Sequence, residues 1–208
     1  MKSIKNIIFD LGGVFIGIDY KKTEQAFINL GVSNFNELYT QHNASSLFKD
    51  LETGKITAET FYNLFRQEAN IILTDQQIES AWNAMLGDFI TGNVGWLKQI
   101  RKRYSIYLFS NTNIIHYNSF QSRYKMQTGR NSFDDHFLAA YYSHDLGLRK
   151  PEIASFKAIL HQQHLVADET LFIDDTPGNI EGARLAGLET LLLVHPENLP
   201  EIFQEATI

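Results

Sequence analysis

Short apolar runs alternate with amphipathic stretches along most of the chain, as in a sheet whose strands are joined by helices. Five of the apolar runs are followed by glycine or polar residues and predict buried parallel strands. These runs are Ile4–Phe9, Tyr104–Phe109, Phe137–Tyr142, Thr170–Ile173 and Glu189–Val194. Helices are predicted between them, because residues 93–103 have apolar positions at helical spacing and Pro151 stands at a first-turn position. This alternation predicts an α/β fold with a doubly wound parallel sheet.

Residues 19–88 interrupt the alternation, because they contain several helical patterns and no convincing strand. Thr74 and Gln77 have the spacing of a capping box, and Thr57 can cap a second helix over residues 58–69. The aromatic residues at helical spacing, Phe61, Phe65 and Trp82, are expected in the core of this segment rather than at a substrate. We therefore predict a core domain of residues 1–18 and 89–208, with an inserted helical lobe of residues 19–88.

Composition and charge exclude several classes of function. The 208 residues are 44% hydrophobic and 20% charged, which is typical of a globular protein. With 18 Lys and Arg against 24 Asp and Glu, the net charge is -6, and no basic stripe offers itself to nucleic acid. The chain has no cysteine, so disulfides, thiolate metal sites and cysteine nucleophiles are excluded. Any catalysis must use oxygen or nitrogen groups.

The N-terminal residues do not form a targeting signal, because Asp10 ends the short apolar run that follows Lys5. No segment approaches the roughly 20 apolar residues of a membrane helix. We therefore expect a cytoplasmic protein with no membrane partner, and the sequence does not indicate an oligomeric state.

Carboxylates follow the first and fourth of the predicted strands. Asp10 comes before Gly12 and Gly13, where a ligand can approach the backbone at the sheet edge, although the same residues also suit a simple turn. Asp174 and Asp175 are adjacent acids that repel each other unless a cation neutralises them, and Mg²⁺ prefers such ligands. The competing interpretation for this second pair is the capping of the helix that follows.

Two further polar groups follow the other strands. Ser110, Asn111 and the residues after them offer a hydroxyl, amides and backbone N–H groups that suit a phosphate, or plain N-capping of the next helix. Lys150 precedes Pro151 and can neutralise a phosphate and an attacking carboxylate, whereas most lysines are solvated. Each feature alone has an ordinary structural explanation. Together they supply the positioning and charge neutralisation that phosphoryl transfer requires at one sheet edge.

In these motifs the chain resembles the haloacid dehalogenase superfamily, whose four motifs match Asp10, Ser110, Lys150 and the pair Asp174–Asp175. The resemblance covers nearly the whole chain. Three stretches look especially like the α-D-glucose-1-phosphate phosphatase group and the phosphatase domain of soluble epoxide hydrolases. These stretches are Leu108–Asn113, Ser143–Glu152 and Phe172–Gly187. The resemblance implies a Rossmann-like α/β core and identifies the helical lobe as a cap that selects the substrate.

The resemblance also implies a role for each motif residue. Asp10 is expected to attack phosphorus, to form an aspartyl-phosphate and to bind Mg²⁺. Ser110 and the backbone near Asn111 are expected to bind the phosphoryl oxygens, and Lys150 is expected to pair with Asp10 and the transferring group. Asp175 is expected to bind Mg²⁺ directly, with Asp174 helping directly or through water. The implied function is a magnesium-dependent phosphatase for a small phosphorylated metabolite, such as a sugar phosphate.

Gly12 departs from the usual pattern of such phosphatases, which have an aspartate two residues after the nucleophile as general acid and base. Gly12 is still expected to contact the metal and the substrate. The resemblance implies that the backbone carbonyl, which glycine keeps, makes the metal contact in this family. The glucose-1-phosphate phosphatase group is similar in having glycine there. His42 and His116 are candidates for a replacement acid, because histidine titrates near neutral pH. His161 and His164 are expected on a solvated helix face.

Three alternative functions follow from the same residues. Hydrolytic dehalogenation needs no metal, so Asp174 and Asp175 argue against it, and a phosphomutase needs the acid-base group that Gly12 lacks. A non-catalytic protein that binds a phosphometabolite or a protein partner would explain Gly12, but Asp10, Lys150 and Asp175 are all present.

Overall fold

The computed structural model describes residues 3–40 and 45–205, so His42 lies outside the described residues. Its centre is a parallel sheet in the order β5-β4-β1-β6-β7. The strands are β1 (Asn6–Phe9), β4 (Ser105–Ser110), β5 (Ala139–Tyr142), β6 (Thr170–Asp174) and β7 (Glu189–Leu192). All five predicted strands are confirmed, with small differences at their ends. β1 lies in the middle of the sheet, between β4 and β6.

Helices cover both faces of this sheet. They are α6 (Thr91–Ile100), α7 (Ile114–Thr128), α8 (Ser143–Leu146), α9 (Ile153–Gln162), α10 (Pro177–Leu185) and α11 (Leu199–Glu205). Alternate residues of a strand point to opposite faces, so Ile8 packs in one apolar cluster with α9 and α10, while Ile7 and Phe9 pack in another with α6 and α7. The doubly wound α/β architecture is therefore confirmed. Among the described residues, no helix is both long and apolar enough to cross a membrane.

The residues between β1 and α6 form mainly helices, as expected. They are α1 (Tyr20–Asn29), α2 (Phe35–Leu38), α3 (Ser46–Glu52), α4 (Ala58–Ala69) and α5 (Asp75–Trp82). Thr74 and Gln77 form the predicted capping box, and Thr57 accepts a hydrogen bond from the Thr60 N–H. The predicted core aromatic residues Phe61, Phe65 and Trp82 are completely buried. They pack edge-on or tilted against further aromatic rings of the same segment, among them Phe35 and Phe48.

The expectation that residues 19–88 contain no strand is wrong at their end. β2 (Ile16–Ile18) pairs antiparallel with β3 (Leu86–Phe89), so the two connections of the helical segment to the sheet are bonded to each other. Gly87 allows this close approach, since a Cβ there would lie 3.0 Å from the Gly17 carbonyl oxygen. β3 crosses the boundary at 88/89, and the division into two domains stays a prediction.

Candidate active site

The polar residues that follow separate strands come together at the carboxyl edge of the sheet. Asp10 follows β1, Ser110 ends β4, and Asp174 ends β6, with Asp175 next to it. β4 and β6 are the two neighbours of β1, so these residues meet above three adjacent strands. Asp10, Ser110 and Asp175 line a cavity of about 550 Å³. Its wall also includes helical-segment residues that the motifs did not identify, namely Tyr20, Tyr39 and Glu52.

Lys150 lies at the centre of the cluster, and its side chain is only 1% exposed. Its Nζ donates to Asp10 Oδ1 at 2.7 Å, to Asp174 Oδ2 at 2.7 Å and to the Phe109 carbonyl at 2.9 Å. Burial alone would lower the pKa of this ammonium, but the charges of Asp10 and Asp174 outweigh burial and raise it. Lys150 is therefore a permanently charged group that joins two carboxylates.

Asp10 is buried, and its backbone N–H donates to the Ile173 carbonyl at 2.9 Å, which fixes the residue beside β6. Burial raises the pKa of its carboxyl to about 7, against the opposing effect of Lys150 and with a further increase from Asp174. The ammonium of Lys150 thus stabilises the carboxylate form of Asp10, whereas burial and the charge of Asp174 destabilise it. A cation beside it would favour that form.

Asp174 is completely buried, and groups from three other residues donate hydrogen bonds to its carboxylate. Its oxygens accept hydrogen bonds from Lys150, from the Thr176 N–H at 2.8 Å and from Asn179 Nδ2 at 3.0 and 3.1 Å. Asn179 was not identified from the sequence. Its only signal was an amide in the first turn of α10, five residues after Asp174. These bonds make Asp174 the residue that orients Lys150.

Asp175 is the exposed member of the acidic pair, and burial together with the charge of Asp174 raises the pKa of its carboxyl. It packs against Gly13, whose φ of +69° suits glycine and whose missing side chain would overlap with the Asp175 carboxylate. One oxygen each from Asp10, Asp174 and Asp175 lies within 4.8 Å of the others, so these residues can hold a metal ion. Carboxylates are the ligands that hard divalent cations such as Mg²⁺ prefer.

The side chains of the predicted phosphate cradle differ in their partners, and the cradle itself stays a prediction. Ser110 is buried in the cavity wall, and its hydroxyl has no hydrogen-bond partner in the part of the chain that is described. Asn111 instead bonds the Lys150 backbone twice, donating to its carbonyl at 2.9 Å and accepting from its N–H at 2.8 Å. Asn113 caps α7 through the N–H groups of Ile115 and His116. The amides thus position other groups, because each has a backbone partner already.

Gly12 lies in the cavity wall and, having no side chain, provides no acid. A Cβ at this position would lie 3.1 Å from Ile18 Cγ1, so the Ile18 side chain would have to shift by a few tenths of an ångström.

His116 reaches the cavity, but it is not a protonated acid at neutral pH. Its Nδ1 lies 2.8 Å from Asn83 Oδ1, and its ring stacks on Trp82 with centroids 4.7 Å apart. Burial lowers the pKa of the imidazole to about 3. Its buried Nε2 has no partner among the described residues. His161 and His164 are exposed, as expected, but only His161 lies on a helix, since α9 ends at Gln162.

The chain is similar to known proteins along nearly its whole length. The profile of the haloacid dehalogenase-like hydrolase family matches residues 7–193. D-ribitol-5-phosphate phosphatase from Bacteroides thetaiotaomicron is 32% identical over 205 residues, which cover 99% of this chain and 98% of the relative.

Two groups of solved structures are similar over most of their length. An aspartate-to-alanine variant of a haloacid dehalogenase family enzyme from Bacteroides thetaiotaomicron, in complex with magnesium and inorganic phosphate, has a TM-score of 0.86. It is 32% identical, with 91% of this chain and 94% of that chain covered. A hydrolase of the same family from Porphyromonas gingivalis has a TM-score of 0.86 at 28% identity, with 99% and 100% covered. The chain therefore belongs to the haloacid dehalogenase-like hydrolase family.

Proposed function

We propose that the protein is a magnesium-dependent phosphatase that hydrolyses a small phosphorylated metabolite, of the sugar or polyol phosphate class, through an aspartyl-phosphate. The observation that carries this proposal is the Lys150 ammonium held between Asp10 and Asp174, beside a group of three carboxylates that can bind a cation. The similarity to a D-ribitol-5-phosphate phosphatase over the full chain supports the substrate class. The magnesium in solved structures of related enzymes supports the metal.

Asp10 acts as the nucleophile in this proposal. One of its oxygens forms a bond to phosphorus while the bond from phosphorus to the substrate oxygen breaks, and the leaving alkoxide takes up a proton from solvent water. Water then attacks phosphorus and loses a proton to the solvent, the bond to Asp10 breaks, and inorganic phosphate and the free carboxylate are released. Lys150 holds Asp10 in position through both steps, and Ser110 donates to a phosphoryl oxygen.

Asp10, Asp175 and the Gly12 carbonyl are the proposed metal ligands, and Asp174 assists by orienting Lys150 or through water. Bound magnesium supplies positive charge next to the phosphoryl oxygens, as in other phosphoryl transfer sites. Burial, together with repulsion by neighbouring carboxylates, raises the pKa of both Asp10 and Asp175, and a bound cation would oppose both effects.

A substrate screen tests the proposal. Purified protein is assayed for phosphate release from sugar phosphates, polyol phosphates, nucleotides and small phosphoacids, with Mg²⁺ and with EDTA. We expect release that depends on Mg²⁺ and is fastest for small polyhydroxylated phosphates. Protein that binds Mg²⁺ but releases phosphate from no compound would instead be a non-catalytic member of the family. Release of chloride from a 2-chloroacid in EDTA would indicate a dehalogenase.

A further inference from the structure

Glu52 is a buried charged residue with no part in the proposed chemistry. It ends α3, is 7% exposed and lines the same cavity as Asp10. Burial raises the pKa of its carboxyl, and Arg149 opposes this increase. A buried carboxylate destabilises a protein unless its oxygens accept hydrogen bonds. The stability of the buried Glu52 carboxylate therefore depends on which groups donate hydrogen bonds to it.

Arg149 neutralises the charge of Glu52 but does not provide all the hydrogen bonds that its carboxylate can accept. Arg149 Nη2 lies 2.9 Å from Glu52 Oε2, yet Oε2 and Arg149 Nε are both buried without a hydrogen bond among the described residues. A guanidinium has five donors and a carboxylate accepts about four bonds. The pair therefore has unused donors and acceptors in the wall of the cavity.

This pair is close to the site of phosphoryl transfer. Arg149 directly precedes Lys150, so their Cα atoms are about 3.8 Å apart, and Lys150 bonds Asp10. Tyr20 lines the same cavity as Asp10, Glu52 and Arg149. The cavity volume of about 550 Å³ suits a small metabolite. Because Asp10, Glu52 and Arg149 line one cavity, a substrate whose phosphoryl group is at Asp10 can extend towards Glu52 and Arg149.

The two charges restrict the chemistry of that part of the substrate. Because Glu52 and Arg149 neutralise each other, a carboxylate or an amine on the substrate is attracted by one of them and repelled by the other, with no net gain. A hydroxyl group is neutral and can donate to Glu52 while it accepts from Arg149. We infer that Glu52 and Arg149 recognise hydroxyl groups on the carbon chain of a polyhydroxylated phosphate monoester. This inference rests on the proposed function and names the residues that select its substrate.

The competing explanation is a clamp between α3 and the loop before Lys150. Gly54, just after α3, already lies against the His144 carbonyl, with no room for a Cβ. A clamp would affect every substrate alike, because it acts through the position of Lys150. Recognition of hydroxyl groups affects only the substrates that have them, so the ratio of two substrates separates the two explanations.

The test compares D-ribitol 5-phosphate with n-pentyl phosphate, which has the same chain length and no hydroxyl groups. For the wild-type protein in Mg²⁺, we expect kcat/KM to favour the ribitol compound by at least about 100-fold. In Glu52→Gln this ratio should fall by about tenfold or more, since a charged hydrogen bond is replaced by a neutral one. The kcat/KM for pentyl phosphate should change by less than about twofold. Glu68→Gln, an exposed change on α4, is the matched control.

Arg149→Lys provides an independent variant that keeps the positive charge but loses the planar fork of donors. It should lower the same ratio, and it decides the question if circular dichroism shows that Glu52→Gln is unfolded. Equal losses on both substrates, or no loss on either, would overturn the inference while leaving the phosphatase proposal intact. A wild-type protein that hydrolyses neither compound, nor any in the wider screen, would overturn the phosphatase proposal and this inference with it.

Discussion

The Lys150 ammonium has three N–H groups, and Asp10, Asp174 and the Phe109 carbonyl accept all of them. It therefore cannot bond a phosphoryl oxygen without giving up one of these partners. Its main contribution in the resting protein is to fix Asp10 and to keep positive charge beside it. Ser110 is better placed for direct contact with the substrate, because its hydroxyl has no partner among the described residues.

The role of Asp10 as nucleophile predicts the effect of Asp10→Asn. The amide keeps the shape of the side chain but does not attack phosphorus, so phosphate release should fall by at least about 10³-fold. The measurement is phosphate release in Mg²⁺, together with circular dichroism to establish that the variant is folded. Asp145→Asn, at a side chain that is 73% exposed, is the control and should keep full activity. Substantial turnover by Asp10→Asn would rule out the aspartyl-phosphate mechanism.

The low pKa of His116 predicts a dependence of stability on pH. Its folded pKa of about 3 is below the usual 6.5 because of burial, so the unfolded chain binds a proton first as the pH falls. This contribution to stability is complete above pH 6.5 and is lost as the pH falls towards 3, by about 1.4 kcal/mol per pH unit. In His116→Gln, the loss of unfolding free energy between pH 6.5 and 4.5 should be smaller by about 2 kcal/mol.

Urea unfolding at several pH values between 7.5 and 4.5 measures this difference. His161→Gln changes an exposed histidine and should leave the pH dependence as it is in the wild type. Identical pH dependence in the wild type and in His116→Gln would show that this imidazole is not held neutral by the fold.

Among individual residues, Asp10, Asp174 and Asp175 could be predicted because they follow runs that are recognisable as buried strands. Lys150 could be predicted because it precedes Pro151 near the start of a predicted helix. Glu52 could not be predicted, because it comes from α3 and reaches the site only through the packing of distant elements. Asn111 belonged to a predicted motif, but its actual partner, the Lys150 backbone, is 39 residues away. Hydrogen bonds of that range do not appear as a local pattern.

At the scale of elements, the central strands were predictable and β3 was not. The strands of the parallel sheet are buried on both faces, so they appear as continuous apolar runs. β3 is four residues long and contains Gly87 and Asp88, which are poor signals for a strand. Its partner β2 comes much earlier in the chain, since the paired residues Ile16 and Phe89 are 73 positions apart. Only the folded chain brings the two strands together.

The packing of α10 against the loop that contains Lys150 predicts the effect of Gly182→Ala. A Cβ at Gly182 would overlap with the Pro151 carbonyl, and backbone atoms have little freedom to move. We expect a loss of about 1–3 kcal/mol in unfolding free energy, and a lower kcat because the loop shifts Lys150. Urea unfolding and steady-state kinetics measure the two effects.

Gly95→Ala is the matched control, because Gly95 lies in α6 with open space around the added methyl group. It should raise the unfolding free energy by roughly 0.5–1 kcal/mol, as expected for alanine in a helix interior. If both variants behaved alike, close packing at Gly182 would not be the cause.

Considered as a whole, the helical segment buries its aromatic residues in the same hydrophobic cluster as one face of the sheet. It also forms part of the cavity wall, through Tyr20, Tyr39 and Glu52. The core could be predicted from helical spacing, because amphipathic helices bury their apolar faces. The cavity wall could not, since it depends on how the segment lies over the sheet. The sequence therefore indicated the chemistry at the sheet edge better than the surface that meets the rest of the substrate.

The three carboxylates predict that Mg²⁺ stabilises the whole protein. A ligand that binds only the folded state at 100 times its Kd adds about 2.7 kcal/mol, which corresponds to a rise in Tm of roughly 5–10 °C for a chain of this size. Asp175→Asn should remove at least about half of this rise, because it removes a proposed ligand. Asp88→Asn, at an exposed site on β3, should show the full rise. A wild-type Tm that does not respond to Mg²⁺ would contradict the metal site.

The ion pairs around Lys150 have a consequence for the order of binding. When ionised, Asp10, Asp174 and Asp175 together with one ammonium give the centre a formal charge of -2. A phosphate monoester is itself a dianion near neutral pH, so the empty centre repels its own substrate. Only a centre that has first taken up a divalent cation is electrically neutral. With the proposed metal site, we therefore expect the metal to bind before the substrate or together with it.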